Sequence, residues 1–97
     1  MKFKEKVYEK LKKVPFGKIT TYKLLAKAVN SKAYRAVGNI LNKNPYKDVP
    51  CFKVVRSNGE VGGYASGTKN KIKMLKKEGI KIKNNKIIKF KDLIYKF

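Results

Sequence analysis

No apolar stretch in this 97-residue sequence runs for more than a few residues before a lysine interrupts it. Each hydrophobic stripe is therefore about one face wide, the pattern of short amphipathic helices and short strands. Nothing approaches the roughly 20 apolar residues that span a bilayer, and residues 1–14 alternate charged and apolar side chains instead of forming the continuous run of a signal peptide. The expected setting is the cytosol, with no membrane partner. Lys and Arg total 26 against six Asp and Glu, a formal charge of +20. That charge is spread along the chain and not gathered in a tail, which points to a polyanionic partner; the alternative is a lysine-biased solvated surface. Nucleic acid comes first among polyanions, because neutralising phosphates releases counterions. A single small domain buries little more than about 60% of its unfolded surface, so reactive groups are expected near the outside.

Phe3, Val7, Leu11 and Val14 fall at helical spacing and predict a first helix ending near Pro15 and Gly17. Thr20 or Thr21 can cap a second helix carrying Leu24, Leu25 and Ala28, and Ser31 a third over about 32–43, with Ala33, Val37, Ile40 and Leu41 at core spacing. Two short helices joined by a tight turn read as a helix-turn-helix or as an ordinary helical hairpin, and the charge favours the former. Asn44-Pro45 stops the third helix. Pro50-Cys51-Phe52-Lys53-Val54-Val55 suits a short buried strand or turn, and 57–64, rich in turn residues, suits a hairpin wing. A further helix from Thr68 stops at Gly79, and 80–90 alternates apolar residues with lysine around Asn84-Asn85. The expected fold is mainly α with small β elements: a winged helix-turn-helix over 1–80, and a peripheral C-terminal β-hairpin in an extension, 81–97, of the same domain.

Cys51 is the only cysteine and there is no histidine, which excludes an internal disulfide and the usual zinc arrangements; no metal or cofactor is expected. A lone cysteine in an apolar run is either inert packing or a nucleophile, and the second role needs positive potential nearby to hold the thiolate. The surrounding lysines are a plausible source.

Taken in order, Pro15-Phe16-Gly17-Lys18, Thr21-Tyr22, Lys32-Ala33-Tyr34-Arg35-Ala36-Val37-Gly38, Asn44-Pro45, Val49-Pro50-Cys51, Val54-Val55, Gly62-Gly63-Tyr64 and Glu78-Gly79 resemble a known pattern. The resemblance, over about residues 5–80, is to the DNA-binding, active-site domain of the O6-alkylguanine-DNA alkyltransferases, also called methylated-DNA–protein-cysteine methyltransferases. It implies a monomer that binds duplex DNA containing O6-alkylguanine in the minor groove, flips the damaged base and transfers its alkyl group irreversibly to Cys51. Asn44 would brace the turn beneath Cys51. Arg35 would fill the gap left by the base, the alternative being a phosphate contact, and Tyr22 would help rotate the nucleotide, the alternative being a core aromatic. Ala33, Tyr34, Ala36 and Gly38 would lie along the DNA-facing helix, the small residues allowing close approach. The pocket would be lined by Tyr22, Gly63 and Tyr64, with the Val54 carbonyl and the Ala65 N–H directed at the base; Tyr64 could instead be an exposed wing aromatic.

One departure falls on the chemistry. The family motif is Pro-Cys-His-Arg-Val, and here it is Pro50-Cys51-Phe52-Lys53-Val54. The resemblance implies a histidine that links the cysteine through water to a glutamate, matched by Glu78, yet Phe52 accepts no proton. Losing general-base help costs typically 10²- to 10⁴-fold, slowing a single turnover without forbidding it. Lys53 keeps a positive charge, and Glu78 could be a helix-end carboxylate paired to a lysine. The 97 residues carry no counterpart of the N-terminal domain found in many members. Alkyltransferase-like proteins, which bind the lesion without repairing it and typically lack the cysteine, are the alternative, followed by a basic winged-helix binder with no lesion preference.

Overall fold

The computed structural model describes residues 2–64 and 67–97. Helix α1 spans Phe3–Lys12 and turns Val7, Tyr8 and Leu11 inward. The chain then reverses through Gly17, whose φ of +80° suits a residue without a Cβ. Thr21 ends the short strand β1 (Thr20–Thr21) and caps α2 (Tyr22–Ala28), its hydroxyl accepting from the Leu24 N–H at 3.1 Å. Asn30 adopts the left-handed conformation just beyond α2.

The third helix starts later than the spacing predicts. α3 spans Tyr34–Asn42, with Ala33 at its N-cap position, because Ser31 binds the Ala33 N–H at 3.0 Å and so closes a turn ahead of the helix instead of capping it. A single 3₁₀ turn, Cys51–Lys53, leads into strand β2 (Val54–Val55). β2 pairs in parallel with β1, Thr20 opposite Val54 and Thr21 opposite Val55.

This small sheet lies between two cores. Successive strand residues point to opposite faces, so Val54 joins α1, α2, α3 and Val49, whereas Val55 joins Ile19, Phe52, Val61, Leu75, Ile80 and Ile87. α4 (Thr68–Lys77) supplies Leu75 to the second core.

Two expectations are corrected. Residues 57–64 do not pair with themselves as a hairpin. Arg56–Glu60 closes a tight turn (Arg56 N–H to the Glu60 carbonyl, 2.9 Å), and the chain beyond that turn pairs outward: Glu60 bridges Lys86, and the Val61 N–H donates to the Asn85 carbonyl at 2.8 Å. Nor is the C-terminal hairpin peripheral. Its strands β3 (Ile82–Lys83) and β4 (Lys86–Ile87) are antiparallel, Ile87 is buried in the second core, and Ile19 is held between the Leu93 carbonyl (2.9 Å) and the Tyr95 N–H (2.8 Å). A final turn of helix, α5 (Phe90–Leu93), packs Phe90 and Leu93 onto the same core. The molecule is mainly helical with two small sheets.

Candidate active site

Asn44 organises the loop that leads to the cysteine. Its carbonyl oxygen accepts from the Tyr46 N–H at 2.9 Å and its amide donates to the Val49 carbonyl at 3.2 Å, so it ties both ends of that loop. The Cys51 N–H donates to the same Val49 carbonyl, and the Lys53 N–H to the Pro50 carbonyl. Cys51 is held half-buried at the start of the 3₁₀ turn, a free thiol opening into a hollow of about 380 Å³ lined by Leu41, Asn44, Tyr46, Phe52, Tyr64 and Met74.

Tyr64 is the polar neighbour of that sulfur. Burial first, then negative charge at Cys51 and hydrogen bonding to it, push its hydroxyl up to about 12. It stays a neutral donor throughout the physiological range.

Behind the cysteine stands a residue that sequence reasoning missed. Lys71, on α4, is 0% exposed, and its ammonium donates to the carbonyls of Val54 (2.6 Å) and Gly63 (3.1 Å) while facing the Tyr22 ring at 5.8 Å. Burial lowers it to about 8; attraction to a thiolate at Cys51 opposes the fall, and Arg56 adds to it. Its only sign in the sequence is position: Lys71, Leu75 and Glu78 share one helical stripe, so Lys71 is on the inward face of an otherwise lysine-rich helix.

Lys53 goes elsewhere. Its ammonium binds the Val14 (3.2 Å) and Pro15 (3.0 Å) carbonyls and pairs with Glu78 at 3.1 Å, and the same Glu78 oxygen accepts from the Gly17 N–H at 2.8 Å. The expectation that Lys53 supplies the field for the thiolate is thus replaced by a tie between α4 and the Gly17 turn. Phe52, 8% exposed, packs in the second core, where a histidine would bury a polar ring.

Arg35, Tyr34 and Gly38 of α3 line a separate groove of about 660 Å³ with Tyr22, Lys23, Asn42, Arg56, Ser57, Asn58 and Gly63. Sequence reasoning also missed Arg56, which reaches the groove of Arg35 from the segment just after β2. Tyr22 is packed against Gly38, where an added Cβ would meet its ring at 3.9 Å, and burial raises its phenol. Ala33 is exposed and Ala36 half-buried. Arg35 and Cys51 do not share a hollow. Leu41 and Tyr64 face the cysteine, their chain neighbours Asn42 and Gly63 face the groove, and these two pairs form the divide. Val54 is 0% exposed with its carbonyl bound to Lys71, so a base reaches it only by displacing what covers it. The predicted role of Ala65 lies outside the described residues.

The site thus holds a half-buried thiol in one hollow, a cationic, aromatic groove as another, and a buried ammonium bonded to the Val54 and Gly63 carbonyls. The family model for the DNA-binding domain of 6-O-methylguanine DNA methyltransferase matches residues 2–80. The chain belongs to this family. Among relatives, the methylated-DNA–protein-cysteine methyltransferase of Methanosarcina acetivorans is 46% identical over 79 residues, 79% of this chain and 51% of that protein. A bifunctional methyltransferase/endonuclease of Picrophilus torridus is 42% identical over 83 residues, 84% of this chain and 28% of that protein. The chain thus spans about half, or less, of the curated methyltransferases it matches.

Two solved structures mark the range of the likeness. The O6-methylguanine-DNA methyltransferase of Pyrococcus kodakaraensis is 45% identical with a TM-score of 0.75, covering 82% of this chain and 47% of that one. S. pombe Atl1 in complex with damaged DNA containing O6-carboxymethylguanine is 25% identical with a TM-score of 0.86, covering 98% of this chain and 95% of that one. Phe52 packs in the second core, and the Glu78 carboxylate is held by Lys53 and the Gly17 N–H.

Proposed function

We propose that this chain binds duplex DNA containing O6-alkylguanine and accepts the alkyl group on the sulfur of Cys51, once per molecule. The observation that carries this reading is a free, half-buried sulfur opening into a hollow, within electrostatic reach of a fully buried ammonium whose hydrogen-bond partners are two carbonyls and not a carboxylate. Attack by sulfur on the alkyl carbon forms the S–C bond and breaks the C–O6 bond. The electron pair stays with guanine, which takes up a proton. The thiol proton has to leave first, and Phe52 cannot accept it. Lys71, at about 8, is divided between ammonium and amine in mildly alkaline solution. Its ammonium form stabilises a thiolate at Cys51 through space, and the thiol proton passes to solvent.

In this reading α2 and α3 act as a helix-turn-helix, with α3 in the minor groove and the 56–63 segment as the wing. Ala33, Ala36 and Gly38 keep the helix face shallow, and Tyr34 borders the groove. Arg35 stacks into the gap left by the flipped base, offsetting part of the few kcal/mol that unstacking costs. The base passes Tyr22, Gly63 and Tyr64 to reach the sulfur.

The direct test is incubation with an O6-methylguanine duplex followed by peptide mass spectrometry. A methylated Cys51 peptide is expected, absent from Cys51→Ser. An unmodified peptide after long incubation with excess lesion at mildly alkaline pH removes the transfer.

Two observations favour a second reading, a non-enzymatic sensor that binds alkylated guanine and signals to other repair factors. Phe52 stands where the resemblance places the family histidine, and the likeness to Atl1, solved in complex with damaged DNA, runs through 98% of the chain against 82% for the P. kodakaraensis methyltransferase. That reading expects strong preference for the lesion duplex with Cys51 left bare.

A further inference from the structure

We infer that the C-terminal hairpin is a second DNA-contacting wing, carrying Lys83 and Lys86 onto the phosphate backbone of the duplex held by α3. The inference rests on the reading of this chain as a duplex-DNA binder and extends it to residues beyond the matched family domain, which ends at residue 80.

The geometry starts from the hairpin itself. Asn84 and Asn85 have φ of +52° and +61°, the conformation of a two-residue turn that holds its strands in tight register. In that register Ile82 is opposite Ile87 and Lys83 opposite Lys86. Because faces alternate, the isoleucine pair turns toward the second core, where Ile87 is buried, and the lysine pair turns away from it, both lysines exposed. Like charges directly opposite one another destabilise a hairpin. Glu60, the bridge partner of Lys86 on its other side, gives its carboxylate to Asn58 at 2.9 Å and to Arg56 at 3.8 Å. Among the described residues neither Lys83 nor Lys86 is in an ion pair. A polyanion laid across the pair relieves the repulsion that the fold leaves uncompensated.

Position supplies the second argument. Two backbone hydrogen bonds, which together make the Glu60–Lys86 bridge, fasten β4 and the hairpin turn to the wing segment: Val61 N–H to the Asn85 carbonyl at 2.8 Å and Ile87 N–H to the Gly59 carbonyl at 2.9 Å. Arg56, Ser57 and Asn58, just before those links, line the groove that holds Arg35. The hairpin is therefore a rigid continuation of one groove wall. Residues 81–97 add six lysines and one aspartate, and the likeness to the DNA-bound Atl1 structure covers 98% of this chain and so includes the hairpin.

The experiment measures affinity for a labelled undamaged duplex against salt concentration, for the parent protein, Lys83→Gln/Lys86→Gln, and a control of equal charge, Lys4→Gln/Lys6→Gln, both exposed on α1, the helix that also carries Glu5 and Glu9. Each lost phosphate contact lowers the slope of log affinity against log salt by about 0.9. The hairpin variant is expected to lose roughly two units of slope and to bind on the order of tenfold more weakly near 0.1 M salt, with its melting temperature held, since both side chains are exposed. Lys83→Glu/Lys86→Glu should weaken binding further. An unchanged slope in both hairpin variants, or an equal drop in the α1 control, overturns the inference. A parent protein that does not bind the duplex removes the DNA reading together with this one, and does so before any variant is compared.

Discussion

Lys53 and Lys71 are both buried, 4% and 0% exposed, but one ammonium faces a carboxylate and the other does not. Lys53 pairs with Glu78, and between them they hold the Gly17 turn. Lys71 has two carbonyls and a tyrosine face, and attraction to a thiolate at Cys51 opposes only part of what burial does to it. A buried pair is satisfied within the fold. A buried ammonium lacking a carboxylate stays responsive to whatever charge appears beside it, which is what a reactive sulfur requires.

Four experiments break or sharpen that contrast. The largest effect is expected from Glu78→Gln, which strands the Lys53 charge while leaving an amide oxygen to accept the Gly17 N–H. It should cost about 3–5 kcal/mol in denaturant unfolding, whereas Lys53→Met/Glu78→Leu, which removes both charges, should cost clearly less. Equal losses would mean that the pair contributes through packing alone. Next, Lys71→Met should slow alkyl transfer by about 10²- to 10³-fold, the size of losing one preorganised charge stabiliser, while duplex binding changes little. An unchanged rate in folded protein would assign Lys71 to structure only.

The pH dependence of stability has a definite sign. Lys71 is lowered in the folded state to about 8 from the ordinary 10.5, so between those values the unfolded chain binds the extra proton. Stability from this residue is therefore lowest below about pH 8 and recovers as pH rises toward 10.5, by up to about 3 kcal/mol. Subtracting the same titration of Lys71→Met isolates the residue, and a flat difference between pH 8 and 10.5 would refute the assignment. The smallest effect is expected from Phe52→His. The Glu78 oxygen that would orient a new imidazole is already bound by Lys53 and Gly17, so the transfer rate should change by less than about threefold, far below the usual general-base contribution. A gain of tenfold or more would show Glu78 leaving Lys53.

The helices are legible where a stripe or a cap is written locally. Val7 and Leu11 announce α1, and Thr21 caps α2 as its position suggests. The features that escape the sequence depend on partners far along the chain. The 57–64 segment carries turn residues consistent with a hairpin, but its pairing partner is Lys86, and no local pattern selects a strand some 25 residues away over an adjacent one. The same holds at the site. Cys51 and Asn44 stand out by residue type and order, whereas Lys71 is one lysine among many and becomes distinct only through burial. The placement of Lys53 escapes for the same reason: charge is visible in sequence, and direction is not.

The clasp around Ile19 bears on how the protein is made. Its bridge partner, Ile94, comes 75 residues later, so a nascent chain that has released only its first 80 residues from the ribosome has α1 to α4 but not the closure. Ile19 then lacks both of its backbone partners, and its core lacks Ile87, until the last segment emerges. Synthesis arrested before that point leaves an unfinished, aggregation-prone intermediate, and the second core cannot close ahead of the tail.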